Sequence, residues 1–220
     1  FCKEIGAKYV ILTAKHHDGF CLWNTKTTDR KSELDIVDIF VKECQKQNME
    51  YGLYYSWFEF DKSFTVDYYN NYCEPQLNEL LAYNPSIIWF DGQWKITQLS
   101  IVKKIKVLSR YLKLNNIKTN DRIPYQSRND YYYQVGPDRC IPASKPNTNW
   151  QHVNTVGLSW GYLEELPKSL YKTGKELYEL YEKVDDLEGD FLINIGPEGN
   201  GDICQYERNA LTDLSQLINN

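Results

Sequence analysis

Apolar positions along this chain follow two alternating patterns. Short β-branched and aromatic runs bounded by turn residues read as buried strands, and stretches with apolar residues three and four apart read as helices. The first run, Lys8–Lys15, predicts a strand. Leu34–Met49 follows as a helix, with Ile36, Val37, Ile39, Phe40, Val41 and Cys44 at helical spacing. Gly52–Ser56 is a second strand, and Thr65–Tyr83 a second helix whose connection Pro85 closes. Ile87–Phe90 is a third strand. Ile96–Leu112 places Leu99, Val102, Ile105 and Leu112 on one helical face and leads to a fourth strand at Ile117–Asn120. An irregular stretch rich in Tyr, Asn, Pro and Arg then runs over Arg122–Asn149, and its length and aromatics predict a folded loop at a functional site. The pattern resumes with a strand at Thr155–Ser159, a helix at Lys168–Leu187, a strand and turn at Gly189–Pro197 and a helix at Gln205–Ile218.

Strands alternating with helices imply a parallel sheet. The pattern predicts about six strands, where a closed (β/α)8 barrel needs eight. The expected fold is therefore α/β, a partial TIM-like barrel that lacks its first strand or strands, in one domain over residues 1–220. No linker, low-complexity run or internal repeat suggests a second domain. An open barrel leaves strand edges unpaired, so association into a homo-oligomer, or pairing with a further segment, is expected.

Charge and composition narrow the partners. The formal net charge is −5 and there is no basic stripe, so neither nucleic acid nor an anionic membrane is an expected partner. No apolar run approaches the roughly 20 residues of a membrane span. The six cysteines are dispersed without a CxxC pair, so no zinc knuckle is predicted, and Cys44 on its apolar helical face reads as a reduced core residue. Tyr contributes 18 of 220 residues, a supply of rings for packing or for stacking against sugar faces.

Two segments carry the chemistry. The run Ser86-Ile87-Ile88-Trp89-Phe90 ends in Asp91-Gly92, an acid at the carboxyl end of a strand, where α/β barrels keep their catalytic groups. Asp91 is a candidate nucleophile; the alternative is an Asp that caps the turn before Gly92. Trp89 lies two residues earlier and shares its strand face, so it is expected in the pocket wall. Likewise, the strand at Lys8–Lys15 ends in His16-His17-Asp18-Gly19. These three polar residues could hold a metal, but neighbours on an extended chain face opposite sides, and no second ligand cluster is visible, so no metal and no cofactor is expected. Tyr54 and Tyr55 alternate, so only one of them faces the site.

Gly6-Ala7-Lys8-Tyr9 through His16-His17-Asp18-Gly19-Phe20-Cys21-Leu22-Trp23 resembles the signature of the α-L-fucosidases of glycoside hydrolase family 29. Trp89-Phe90-Asp91-Gly92-Gln93-Trp94 is similar to that family's nucleophile segment. Gly52–Ser56, Thr119–Arg122, Ser159-Trp160-Gly161-Tyr162 and Leu192–Pro197 also match, in the family's order. The resemblance implies a (β/α)8-like catalytic barrel, and retaining hydrolysis that releases terminal α-L-fucose from fucosylated glycans. The β-sandwich that usually follows the barrel, and the family's early His-Trp-Gly segment, have no counterpart here. By resemblance, Asp91 is the nucleophile, and His16, His17, Tyr54, Tyr55, Trp89 and Arg122 bind the sugar.

The proton donor departs from the family. Many members carry Trp-Glu upstream of Ser-Trp-Gly-Tyr, and here the pair is Trp150-Gln151. An amide has no labile proton for general acid catalysis. Between Arg122 and Leu163 the acids are Asp130 and Asp138. Asn129-Asp130-Tyr131 resembles a structural turn of the family, and Asp138, after Gly136-Pro137, is a turn residue or a displaced acid. His152 is a further candidate donor. The alternative to an active hydrolase is a catalytically impaired fucose-binding relative or a vestigial fragment.

Overall fold

The computed structural model describes residues 1–124 and 130–220. Asn129, the first residue of the expected turn motif, lies outside the described residues, with the adjoining part of the long loop. The architecture is α/β with parallel sheets, in two compact units. Among the described residues no helix is long and apolar enough to cross a membrane.

The larger unit covers Ala7–Tyr133. Its strands β1 (Tyr9–Lys15), β2 (Glu50–Ser56), β3 (Ile87–Asp91) and β4 (Lys118–Thr119) form a sheet in sequence order, each parallel to the next. Parallel neighbours need crossover connections, and helices supply them. Helix α1 (Ile36–Lys46) buries Val37, Val41 and Cys44, and its first turn is capped by the Asp35 carboxylate accepting from Asp38 N. Helix α4 (Leu99–Leu114) buries Ile101, Val102, Ile105 and Leu112. All five residues of β3 are buried, as expected of a strand covered on both faces.

The helix expected over Thr65–Tyr83 is not continuous α. It consists of α2 (Val66–Tyr68), a π-helical turn at Tyr69–Cys73, and α3 (Glu74–Leu81). Pro75 follows the π turn at the start of α3. A proline lacks the N–H that the ladder needs and crowds the preceding turn, and a π bulge accommodates both.

The second unit comprises Phe1–Gly6 and Gln134–Asn220. Its strands β5 (Gln134–Val135), β6 (Trp150–Thr155) and β7 (Asp190–Asn194) are parallel. Helices α5 (Gly174–Asp186) and α6 (Gln205–Asn219) contribute Leu177, Ala210, Leu211 and Leu214 to a second core around Val156. Helix α5 starts later than the expected Lys168, because Thr173 and Glu176 form a capping box that fixes its first turn. The strand expected at Thr155–Ser159 lies instead at Trp150–Thr155. Its six residues are all buried although four are polar: Gln151, His152, Asn154 and Thr155. Local bonds link three of them. Asn154 Nδ2 meets His152 Nε2 at 3.2 Å, Asn154 Oδ1 accepts from Thr155 N, and Thr155 Oγ1 donates to Gly157 O.

None of the six cysteines is in a disulfide, and Cys44 is buried as its helical position predicts.

Candidate functional site

The site grows from the register of two parallel strands. Tyr54 of β2 pairs with Trp89 of β3, and Ser56 with Asp91. Paired residues of neighbouring strands share a face, so these four side chains stand together at the strands' carboxyl ends. Tyr54 stacks on Trp89 with ring centroids 5.3 Å apart and donates its hydroxyl to Asp91 Oδ2 at 2.8 Å. The sugar-binding expectation for Tyr55 is corrected. Its side chain turns to the opposite face, fully buried, where it bonds Gln76 and packs edge-on to Trp57.

Arg122, just beyond β4, donates Nη1 to Asp91 Oδ1 at 2.9 Å, and its guanidinium lies 4.9 Å over the Trp89 ring. The pair is shielded, with 16% and 11% side-chain exposure. The Gly92 N–H also donates to Asp91 Oδ1. Charge-assisted donors therefore fix one carboxylate oxygen, while Oδ2 faces Tyr54 and His17. Gly92 has φ +80°, and a Cβ there would lie 2.7 Å from Phe58 Cβ, so only glycine lets the chain turn directly after the acid.

The two histidines do not obey strand alternation. β1 ends at Lys15, and His16–Gly19 forms a turn closed by Gly19 N to His16 O. The turn brings both rings to one side, with centroids 4.2 Å apart. The reasoning that opposed a shared ligand therefore fails, because the extended chain has already ended. His16, His17 and Asp91, rather than Asp18, bring ligand atoms within 4.8 Å of one another. Asp18 is exposed and its carboxylate accepts from Phe20 N.

His16 stacks face to face on Tyr54 at 5.4 Å. His17 Nε2 lies 3.8 Å from Asp91 Oδ2, and its Nδ1 is 2.6 Å from Ser56 Oγ. The Ser56 hydroxyl proton is used on Phe58 O at 2.7 Å, so Nδ1 carries the imidazole proton and Nε2 presents a lone pair to the site. Desolvation lowers the pKa of both rings; for His17 the neighbouring His16 and Arg122 add to it, against the pull of Asp91 and Asp18. The pair is neutral at pH 7 and suited to hydrogen bonding with hydroxyls.

Beneath this turn lies a buried ionic cluster that the sequence did not signal. Lys15 is fully buried and Glu59 is 2% exposed, and they meet at 2.9 Å. Tyr68 Oη also donates to Glu59 Oε1, and Lys62 Nζ to Oε2 at 2.6 Å. Gly19, at φ +74°, packs so closely that a Cβ would lie 2.5 Å from Glu59 Oε2.

Ser56, Phe58, Phe60 and Trp94 also adjoin the site and were missed. Phe58, Phe60 and Trp94 each place a ring centroid 5.6 Å from that of His17. Ser56 was discoverable, since it sits two residues after Tyr54 on the same strand face. The aromatic rim was not, since it is built from segments beyond the strand ends, where the two-residue period no longer applies.

Gln151, Asp138 and His152 belong to the second unit. Gln151 is 1% exposed within β6, and Asp138 is exposed on the loop before it. His152 is fully buried, stacked on Phe191 at 5.9 Å, and burial lowers its pKa. That environment suits a core residue rather than an acid.

The family model for alpha-L-fucosidase matches residues 1–220. The chain is 32% identical to the tissue alpha-L-fucosidase of Rattus norvegicus, aligned over 97% of this chain and 51% of that protein. It is 30% identical to the alpha-L-fucosidase of Dictyostelium discoideum, over 98% of this chain and 52% of that one. Among solved structures, the alpha-fucosidase of Thermotoga maritima superposes with a TM-score of 0.84 at 29% identity, covering 99% of this chain and 54% of that one. The chain thus spans about half the length of the relatives it matches. Because the family model is matched from the first residue to the last, the chain belongs to the alpha-L-fucosidase family.

Proposed function

We propose that this chain carries the nucleophile and much of the sugar-binding wall of a retaining α-L-fucosidase, acting on terminal fucose of glycans. The observation that carries the reading is Asp91. It stands at a strand end with Oδ1 held by Arg122 and Gly92 and Oδ2 turned to the side of the histidines. In this reading Oδ2 attacks the anomeric carbon, a fucosyl–enzyme ester forms as the glycosidic C–O bond breaks, and water then hydrolyses the ester. His16, His17 and Tyr54 bond the sugar hydroxyls, and Trp89 backs the pocket. A solved Thermotoga maritima alpha-L-fucosynthase, 27% identical, is complexed with a fucosyl-fucose azide, which supports a fucoside as the ligand class. We read residues 1–220 as one catalytic domain, its two parallel sheets as parts of a (β/α)8-like barrel, and its open sheet edges as sites of association.

Gln151 favours a second reading, fucose binding without efficient turnover, because a carboxamide cannot protonate the leaving oxygen. General acid catalysis contributes about 10²–10⁴-fold, so in the first reading hydrolysis depends steeply on the leaving group.

Both readings are tested with activated aryl α-L-fucosides. Turnover that is lost in Asp91→Ala and returns with azide, giving β-L-fucosyl azide, is expected for a retaining nucleophile. Saturable L-fucose binding with no turnover at any leaving group would establish the second reading. Turnover unchanged in Asp91→Ala would overturn the first.

A further inference from the structure

We propose that His16, His17 and Asp91 form a site for an exchangeable borderline-soft divalent cation, Zn²⁺ or Cu²⁺, that caps the carboxylate oxygen facing the histidines. Two imidazoles and one carboxylate present ligand atoms within 4.8 Å of one another, and His17 Nε2 to Asp91 Oδ2 is already 3.8 Å. A tetrahedral zinc ion with ligands at about 2.0–2.2 Å places them roughly 3.4 Å apart. The contraction required is therefore of the order of 1 Å, within reach of side-chain rotation at the exposed His16.

One of the two imidazoles is already oriented. Metal-binding imidazoles direct their other ring nitrogen to a fixed acceptor, which sets the tautomer and aims the lone pair. Ser56 Oγ does this for His17 Nδ1 at 2.6 Å, and its own proton is committed to Phe58 O. The donor set selects the ion. Two nitrogens and one oxygen suit zinc and copper, whereas magnesium and calcium prefer all-oxygen shells.

The site also has a built-in limit. Arg122 already neutralises Asp91 through Oδ1 at 2.9 Å and repels a second cation. With three protein ligands and that opposing charge, the ion is expected to exchange freely rather than reside permanently. In the fucosidase reading, an ion on Oδ2 blocks the attacking atom, so metal and sugar exclude each other. Only this last consequence rests on that reading.

The test uses the full chain, titrated with Zn²⁺ by calorimetry and with Co²⁺ by visible absorption. One equivalent of Zn²⁺ is expected, with its Kd raised at least tenfold in both His16→Gln and His17→Gln. The Co²⁺ spectrum is expected to show tetrahedral nitrogen–oxygen ligation without thiolate charge transfer. Circular dichroism of each variant shows whether the fold is kept, and His16→Gln, at an exposed position, is the safer variant. Thiolate charge transfer, or Zn²⁺ affinity unchanged in both variants, would assign the ion to cysteines and overturn the proposal, as would absence of binding. L-Fucose is expected to weaken Zn²⁺ binding. If Zn²⁺ binds through the histidines but is indifferent to L-fucose, the metal site stands and the sugar assignment fails.

Discussion

Replacing Glu59 by Gln tests whether the buried pair beneath the histidine turn supports the fold. Lys15 is fully buried; besides Glu59, its ammonium meets Tyr55 Oη at 3.2 Å and Tyr68 Oη at 3.3 Å, and lies 4.4 Å over the Tyr55 ring. In Glu59→Gln the cation keeps only those neutral contacts. Removing one partner of a buried pair costs about 3–5 kcal/mol, because the other charge is left uncompensated. The converse change, Lys15→Met, leaves the Glu59 carboxylate with Tyr68 and with Lys62, whose side chain is 26% exposed and brings solvent with it. The expected cost is lower, about 1–3 kcal/mol. Glu59→Gln should therefore be the more damaging of the two. Urea denaturation at pH 7 reads both from midpoints at constant slope. Acid gives a second readout. Burial works to raise the Glu59 pKa, but Lys15, with hydrogen bonds from Lys62, Lys15 and Tyr68, outweighs it and holds the pKa below the usual value of 4.5. Stability from the pair is thus present above pH 4.5 and lost as pH falls through the lowered folded value. That acid loss should shrink in Glu59→Gln. A cost below about 1 kcal/mol for Glu59→Gln, or a larger cost for Lys15→Met, would refute the reasoning.

Gly92→Ala should destabilise by about 1–2 kcal/mol from the left-handed backbone alone. It should also depress turnover by shifting Asp91, since the new Cβ meets Phe58 and Ser56; an unchanged melting temperature together with unchanged kcat/KM would show that the turn has other freedom. For His16 and His17, the folded pKa lies below the reference 6.5, so the unfolded chain takes up protons first. Stability should fall as pH drops from near 6.5 towards the lowered folded values, and NMR titration of the ring protons should give midpoints below 6.5. Midpoints at or above 6.5 would contradict the inferred desolvation.

Much of the site was legible because β3 obeys a two-residue period up to its last residue. Trp89 and Asp91 could be assigned to one face from spacing alone. The choice between Tyr54 and Tyr55 needed the register with β3, a non-local fact. The histidine pair misled because the period stops at Lys15, and a turn then places consecutive rings side by side. β6 was displaced for a different reason. Hydrophobic patterning cannot see a strand whose buried residues include Gln, His, Asn and Thr, the last three of them linked by short-range bonds to one another and to nearby backbone. The Lys15–Glu59 cluster was equally hidden, since a lysine at a strand end and a loop glutamate read as solvated charges.

The misread histidine pair and the hidden Lys15–Glu59 cluster share a cause that bears on function. Consecutive residues at the end of β1 do opposite work: Lys15 is committed to the interior, and His16 and His17 face the site. The chain cannot alternate to achieve this, so it must turn. A turn that places two rings 4.2 Å apart on neutral, partly desolvated nitrogens needs an anchor that does not drift. Hydrogen bonds from a solvated loop would not supply one, because exposed pairs contribute little and are screened. A buried carboxylate in van der Waals range of Gly19, bonded by Lys15, Lys62 and Tyr68, does. The glycine is then required twice over, for its positive φ and for the absent Cβ. Precision at the histidines thus depends on an ion pair that touches neither the sugar side of the pocket nor Asp91. Variants of Glu59 should accordingly disturb ligand binding through His16 and His17 while the Asp91–Arg122 pair, carried by β3 and the segment just beyond β4, keeps its geometry.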